Sequence, residues 1–167
     1  MPPLTDELCG LIPAHEYLDV TVMAHERGVR YVQGTIDGLV GPGRYTEWTY
    51  PERIVAIAKV DTRRQELSLA SQELMTRDKV TLRLNLTVAY TISDPLRMAE
   101  RVAVPRDAVY LMVQLAARDF IAGVTLDELL EGRDALHRYL AQATAAPAAD
   151  IGLTIASVGV KDVILPG

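Results

Sequence analysis

Cysteine is almost missing from this chain: Cys9 is the only one in 167 residues. No intrachain disulfide can form, and a single chain cannot assemble a thiolate metal site. Two readings of Cys9 stay open, a reactive or lipidated thiol and an inert thiol in a loosely held N-terminal segment. Aromatics are scarce at 5%, with Trp48 and Phe120 each alone in its class. Long apolar runs are also absent. The longest stretches, such as 54–58 and 110–113, fall far short of the roughly 20 residues that cross a bilayer as a helix. A basic excess is lacking too, since 17 Lys and Arg face 22 Asp and Glu for a net charge of -5. A mildly negative field argues against nucleic acid, which requires clustered cations along the phosphates. The opening Met1-Pro2-Pro3-Leu4-Thr5-Asp6-Glu7 has neither the basic start nor the apolar core of a secretory signal.

What is present fits one soluble globular domain. A hydrophobic fraction of 49% and a charged fraction of 23% are ordinary, and a chain of this length buries roughly 70% of its unfolded surface, so one core is expected. Apolar and polar residues alternate over 18–24. A polar turn at His25-Glu26-Arg27-Gly28 then leads into 29–33, which predicts a hairpin. A second turn over 34–38 and the punctuation Gly41-Pro42-Gly43 separate two further extended pieces, 39–40 and 44–48. Residues 54–60 are apolar on both faces, the pattern of a strand covered on both sides, and 66–69 begins another.

Residues 79–93 carry the clearest pattern. Val80, Leu82, Leu84, Leu86, Val88, Tyr90 and Ile92 alternate with polar or small residues, which predicts one long half-buried strand organising its sheet. Leu84 and Leu86 should face the core, and Arg83 and Asn85 solvent or a neighbour. At Asp94-Pro95 the period lengthens to about 3.6. Asp94 can cap and Pro95 fits the first helical position of a short helix to about 102. A second helix, about 106–122, is so broadly apolar that it needs cover from sheet, helix or a neighbouring subunit. Thr125-Leu126-Asp127-Glu128 is a capping box that starts a third helix. Gly132 should weaken that helix and Pro147 should kink or end it, and 153–165 returns as a strand. The expected fold is α+β, a mainly antiparallel sheet of about six strands with three helices packed on it.

Five segments in order resemble the stomatin/prohibitin/flotillin superfamily, also called SPFH or band 7, nearest its stomatin-like (slipin) branch. They are Glu26-Arg27-Gly28-Val29 with Gly41-Pro42-Gly43-Arg44-Tyr45, then Thr76-Arg77-Asp78-Lys79-Val80-Thr81-Leu82 with Tyr90-Thr91-Ile92-Ser93-Asp94-Pro95. Leu115-Ala116-Ala117-Arg118 with Thr125 to Leu130, Gly152-Leu153-Thr154-Ile155, and Val160 to Pro166 complete the set. The resemblance implies an SPFH-like domain over 18–166 behind an N-terminal segment 1–17. It also implies that the chain is the soluble core of a longer, membrane-associated protein, flanked by a membrane segment and a coiled coil.

By the same resemblance the function expected is a non-enzymatic scaffold that forms homo-oligomers and organises membrane lipids or client membrane proteins. The alternative is a regulatory module that docks a partner such as a membrane-bound protease or channel. No cofactor is expected.

Catalytic and metal readings find little support in the residues. His15, His25 and His137 lack paired spacing. Ser68, Ser71, Ser93 and Ser157 lack a nucleophile elbow. Asp61, Asp78, Asp127 and Asp162 read as turn, cap and strand residues, and the glycines at 34, 38, 41 and 43 precede no helix. Two sites stand out instead. Arg118, on the broadly apolar helix, should need a partner: an inter-subunit acid, or internally Asp127, Glu128 or helix-end carbonyls. Pro42, Tyr45, Trp48 and Tyr50 gather near the Gly-Pro-Gly turn as a contact for the membrane or a membrane partner, since Tyr and Trp suit a water–lipid boundary. The competing reading places Trp48 in the core between sheet and helices.

Overall fold

The computed structural model describes residues 3–166. The chain folds as two compact units, one up to Arg63 and one from Arg64, in place of the single core expected from length. Among the described residues eight strands form three antiparallel sheets of two, three and three strands, and five α-helices are present. The α+β class is as read from the sequence. The strands are divided among three sheets because their pairing is set by residues far apart in the chain.

In the first unit, helix α1 (Asp6–Leu11) is capped by Thr5, whose hydroxyl accepts the Leu8 N–H, and a 3-10 turn Ala14–Glu16 follows. The N-terminal segment is held down, since Cys9 is buried and its carbonyl accepts the Tyr17 hydroxyl at 2.8 Å. Strand β1 (Tyr17–Val22) pairs with β4 (Gly43–Trp48), and β2 (Glu26–Val32) lies between β3 (Thr35–Val40) and β5 (Val55–Asp61). The hairpin expected between 18–24 and 29–33 is therefore not a hydrogen-bonded pair: the polar turn carries the chain from one sheet to another.

Nor is β5 covered on both faces. It is an edge strand on which Ala56, Ala58 and Lys59 are exposed, and small alanines that look apolar in sequence cost little when wet. Gly28 permits the sheet's close packing, because a Cβ there would stand 2.5 Å from a Val40 methyl and 2.7 Å from an Ile57 methyl. Arg30 on β2 joins the two sheets of this unit. Its guanidinium donates to Glu47 of β4 at 3.0 and 2.6 Å and also pairs with Asp37 of β3.

The second unit is built on β7 (Thr81–Ile92), central between β6 (Gln65–Met75) and β8 (Leu153–Ile164). The predicted alternation is observed. Leu82, Leu84, Leu86, Val88, Tyr90 and Ile92 are buried on one face, while Arg83 and Thr87 are exposed on the other. Helix α2 (Pro95–Arg101) begins with Asp94 accepting the Arg97 N–H, and α4 (Leu126–Glu131) with the complete Thr125–Glu128 capping box.

Helix α3 (Pro105–Ala122) buries Val109, Val113, Ala116, Ala117 and Ile121 against β6 and α5 (Arg133–Asp150). Its cover is narrower than expected, for Leu111 is 53% and Leu115 49% exposed. The third predicted helix is divided at Gly132 into α4 and α5. Pro147 neither ends nor breaks α5: it stands exposed at the start of the last turn, where losing one N–H partner is tolerated, and the helix continues to Asp150 with Thr144 and Ala148 fully buried.

Candidate functional site

Two surfaces carry the residues that stand out in the sequence, one in each unit. In the first unit β4 runs from Gly43 to Trp48, Trp48 opposite Tyr17 of β1, and Tyr50 begins a tight turn closed by Tyr50 and Arg53 exchanging backbone hydrogen bonds. Strand geometry separates the four residues expected to act together. At ~3.4 Å per residue Pro42 and Trp48 lie about 20 Å apart along the strand, and Tyr45 and Trp48 point to opposite faces. Tyr45 turns back, its hydroxyl donating to the Gly41 carbonyl at 2.7 Å.

Trp48 and Tyr50 do come together. They line a concavity of about 740 Å³ with His15, Glu16, Thr49, Pro51 and Ile54, and a second of about 580 Å³ bounded by Leu4, Thr46, Glu47 and Arg53. Trp48 is half-buried, Tyr50 is 36% exposed and Ile54 is 56% exposed. The reading of Trp48 as filler between sheet and helices is not met. Ile54 is the residue that sequence reasoning missed. It was counted into the following strand, and only the turn signal Tyr50-Pro51-Glu52-Arg53 before it could have placed it on the surface.

In the second unit the loop joining β6 to β7 is fastened to the connection between α3 and α4. The Arg77 N–H donates to the Val124 carbonyl at 2.8 Å, and its guanidinium donates to the Gly123 carbonyl at 3.2 Å and to Glu128 at 3.3 Å. Asp78 accepts from the Thr76 hydroxyl and from the Leu126 N–H, and the Thr76 hydrogen bond above all holds its carboxyl below the usual carboxylate range. Glu128 is thus taken by Arg77. Arg118, for which Glu128 is only one of the internal partners considered beside Asp127, helix-end carbonyls and an inter-subunit acid, stands exposed on α3 with no ion pair among the described residues. An exposed cation needs no buried partner, so the cost argued from the helix's apolar character does not arise. Arg118 lines a concavity of about 520 Å³ with Glu73, Leu74, Met75, Thr76, Arg77, Lys79 and Ala122.

Three of the other chemistry-bearing groups, His137, Asp162 and Asp61, are engaged in structure. The His137 ring Nε2 accepts the Val160 N–H at 3.1 Å. Asp162 accepts from Asn85 at 2.8 Å. Asp61 accepts from the side chain and backbone of Arg63, which lowers its carboxyl to about 2. Among the described residues no group of three His, Cys, Asp or Glu side chains is placed to hold a metal, and no helix is long and apolar enough to cross a membrane.

Comparison with known proteins agrees with this architecture. The chain is 33% identical over 145 residues to a protein of Archaeoglobus fulgidus, covering 87% of this chain and 57% of that one. It is 32% identical to a stomatin homolog of Pyrococcus horikoshii, covering 87% and 53%, and 29% identical to human stomatin-like protein 3, covering 87% and 50%. The chain spans about half the length of these relatives. Residues 20–167 match the SPFH domain / Band 7 family. With that match across most of its length, and with stomatins and stomatin-like proteins among its relatives, this chain belongs to the SPFH domain / Band 7 family.

Proposed function

We propose that this chain is the SPFH domain of a non-enzymatic, membrane-associated scaffold that self-associates and holds lipids or client membrane proteins in place. The observation that carries the reading is the surface cluster of Trp48, Tyr50 and Ile54. A half-buried indole beside an exposed phenol and an exposed branched aliphatic side chain, together lining an open concavity, forms the kind of surface that settles at a water–lipid boundary. The uncovered Leu111 and Leu115 on α3 supply an apolar strip for a second copy, in keeping with self-association.

Cosedimentation with phosphatidylcholine vesicles tests the membrane part. The chain is expected to pellet with vesicles, and Ile54→Asp, at an exposed position, to weaken pelleting several-fold with an unchanged circular dichroism spectrum. Pelleting of Ile54→Asp equal to the parent chain, or no pelleting of either, would remove this surface from the account.

A further inference from the structure

Helix α3 carries a second pattern on its uncovered side. Val104 at its N-cap, then Ala108, Leu111, Leu115, Arg118 and Ala122, follow one another at alternating steps of four and three residues. That is the seven-residue spacing of a seam made to pack on another helix. It is distinct from the inward set of Val109, Val113, Ala117 and Ile121, which β6 and α5 already cover. On the seam Val104 is 50% exposed, much like Leu111 and Leu115. Three large apolar side chains in line on one helix face are not the scattered single residues that a surface normally carries.

The charges beside the seam suit a copy of the same helix. Asp107 and Arg118 stand about three turns apart and within ~20° of one angle around the helix, so they share a flank. Both are exposed, and neither side chain makes an ion pair or hydrogen bond among the described residues. Glu73 shares the hollow beside Arg118 without pairing with it. Asp107 complements the dipole from the first turn of α3, a role that leaves its carboxylate open to a cation.

We propose that α3 pairs antiparallel with α3 of a second copy of this chain, about a two-fold axis level with Val113, a pairing that rests on the self-association in the function proposed above. In that register Leu111 of each copy meets Leu115 of the other, Val104 lies level with Ala122, and Ala108 leaves room for the stem of Arg118. Like flanks face each other in an antiparallel pair, and Asp107 comes within ~1.5 Å, one residue's rise, of the level of the second copy's Arg118. The two-fold repeats every contact, so two ion pairs bracket the leucines. In a parallel pair Arg118, a seam residue, would meet its own counterpart and oppose association. An unrelated helix would have to supply a matching acid and base at the same spacing, which a second copy has by symmetry. The strip is smaller than the roughly 1,600 Å² of a standard interface, which makes the pair a weak, concentration-dependent dimer.

Sedimentation equilibrium of the chain at low salt, from about 10 µM to about 1 mM, reads the pairing. The parent is expected to pass from monomer to dimer. Leu115→Glu should hold it monomeric, and Asp107→Arg or Arg118→Asp alone should weaken the dimer about tenfold or more, because each sets like charges face to face. An equimolar mixture of the Asp107→Arg and Arg118→Asp chains should regain the parent's affinity, since every arginine of one then faces an aspartate of the other. All three positions are exposed, and an unchanged circular dichroism spectrum verifies that the variants fold.

A parent that dimerises while Leu115→Glu and both charge reversals dimerise equally would overturn the α3 pairing and leave self-association standing. A mixture as weak as the single variants would overturn the antiparallel register. A parent that stays monomeric to the highest concentration would overturn the pairing and self-association together, and the vesicle test of the Trp48 surface would stand apart from both. Loss of vesicle pelleting in Leu115→Glu from such a monomeric parent would give the strip to lipid instead.

Discussion

Replacing Gly152 with alanine is expected to destabilise the second unit by about 2–5 kcal/mol, the sum of a left-handed residue acquiring a side chain and of overpacking against immovable atoms. Gly152 stands at φ +80 between α5 and β8, and an added Cβ would lie 2.4 Å from the Asp94 carbonyl oxygen and 2.8 Å from the Met98 nitrogen. Both are backbone atoms of the start of α2, so no side-chain rotation relieves the contact. The same residue's carbonyl accepts the Ser93 and Asp94 N–H groups at 3.0 Å, fixing the point where β7 turns into α2. A shift that admits the methyl must loosen those bonds and the Asp94 cap together. Urea denaturation followed by circular dichroism would measure the loss, and a change under about 0.5 kcal/mol would mean that this junction is softer than its geometry indicates.

The second large effect is expected on β7. Leu84 is wholly buried, and Leu84→Ala should cost about 2–5 kcal/mol. From the alternation alone its neighbour Asn85 would be nearly silent. The structure raises that expectation to about 1 kcal/mol, because Asn85 is half-buried and serves both adjacent strands. Its side-chain oxygen accepts the Ser71 N–H at 2.6 Å, at the irregularity in β6, and its amide donates to Asp162 at 2.8 Å, beside a register shift in β8. Removing it leaves the Ser71 N–H without that partner. Denaturant titration of both variants should therefore rank them Leu84→Ala well above Asn85→Ala, with both measurably below the parent. An unaffected Asn85→Ala would show that water replaces the side chain at no cost.

These two positions also mark how much the sequence discloses. The period-two pattern of β7 is legible because one face is core and the other is not, and the Asp94 and Thr125 caps are legible because their chemistry is local. Strand β6 reads only as far as Leu69, for Ser71 at φ 52 inserts an extra residue that moves the inward set from Leu67 and Leu69 to Gln72 and Leu74. The buried Gln72 looks like a surface residue in sequence. Its amide donates to the Tyr110 hydroxyl at 2.7 Å and its oxygen accepts from Gln114 at 2.7 Å, partners about 40 residues away.

The β1–β4 pairing is equally invisible to local reading. Placing Trp48 beside Tyr50 and Ile54, and away from Pro42 and Tyr45, depends on that register and on the 50–53 turn. The hollow around Arg118 was half legible. The residue stood out, but the loop that brings Arg77 and Lys79 beside it is fixed by hydrogen bonds to 123–128 that no pattern announces.

The central claim is that the Trp48 surface meets the membrane, and the chain's single tryptophan reports on it directly. The measurement is the emission spectrum of Trp48 as phosphatidylcholine vesicles are added to the 167-residue chain. The account predicts emission of a partly hydrated indole in buffer and a saturable shift to the blue with lipid as the ring enters the headgroup boundary. Emission that is already blue in buffer and unmoved by vesicles, together with a Trp48→Ala variant that fails to fold, would contradict it and return Trp48 to the interior.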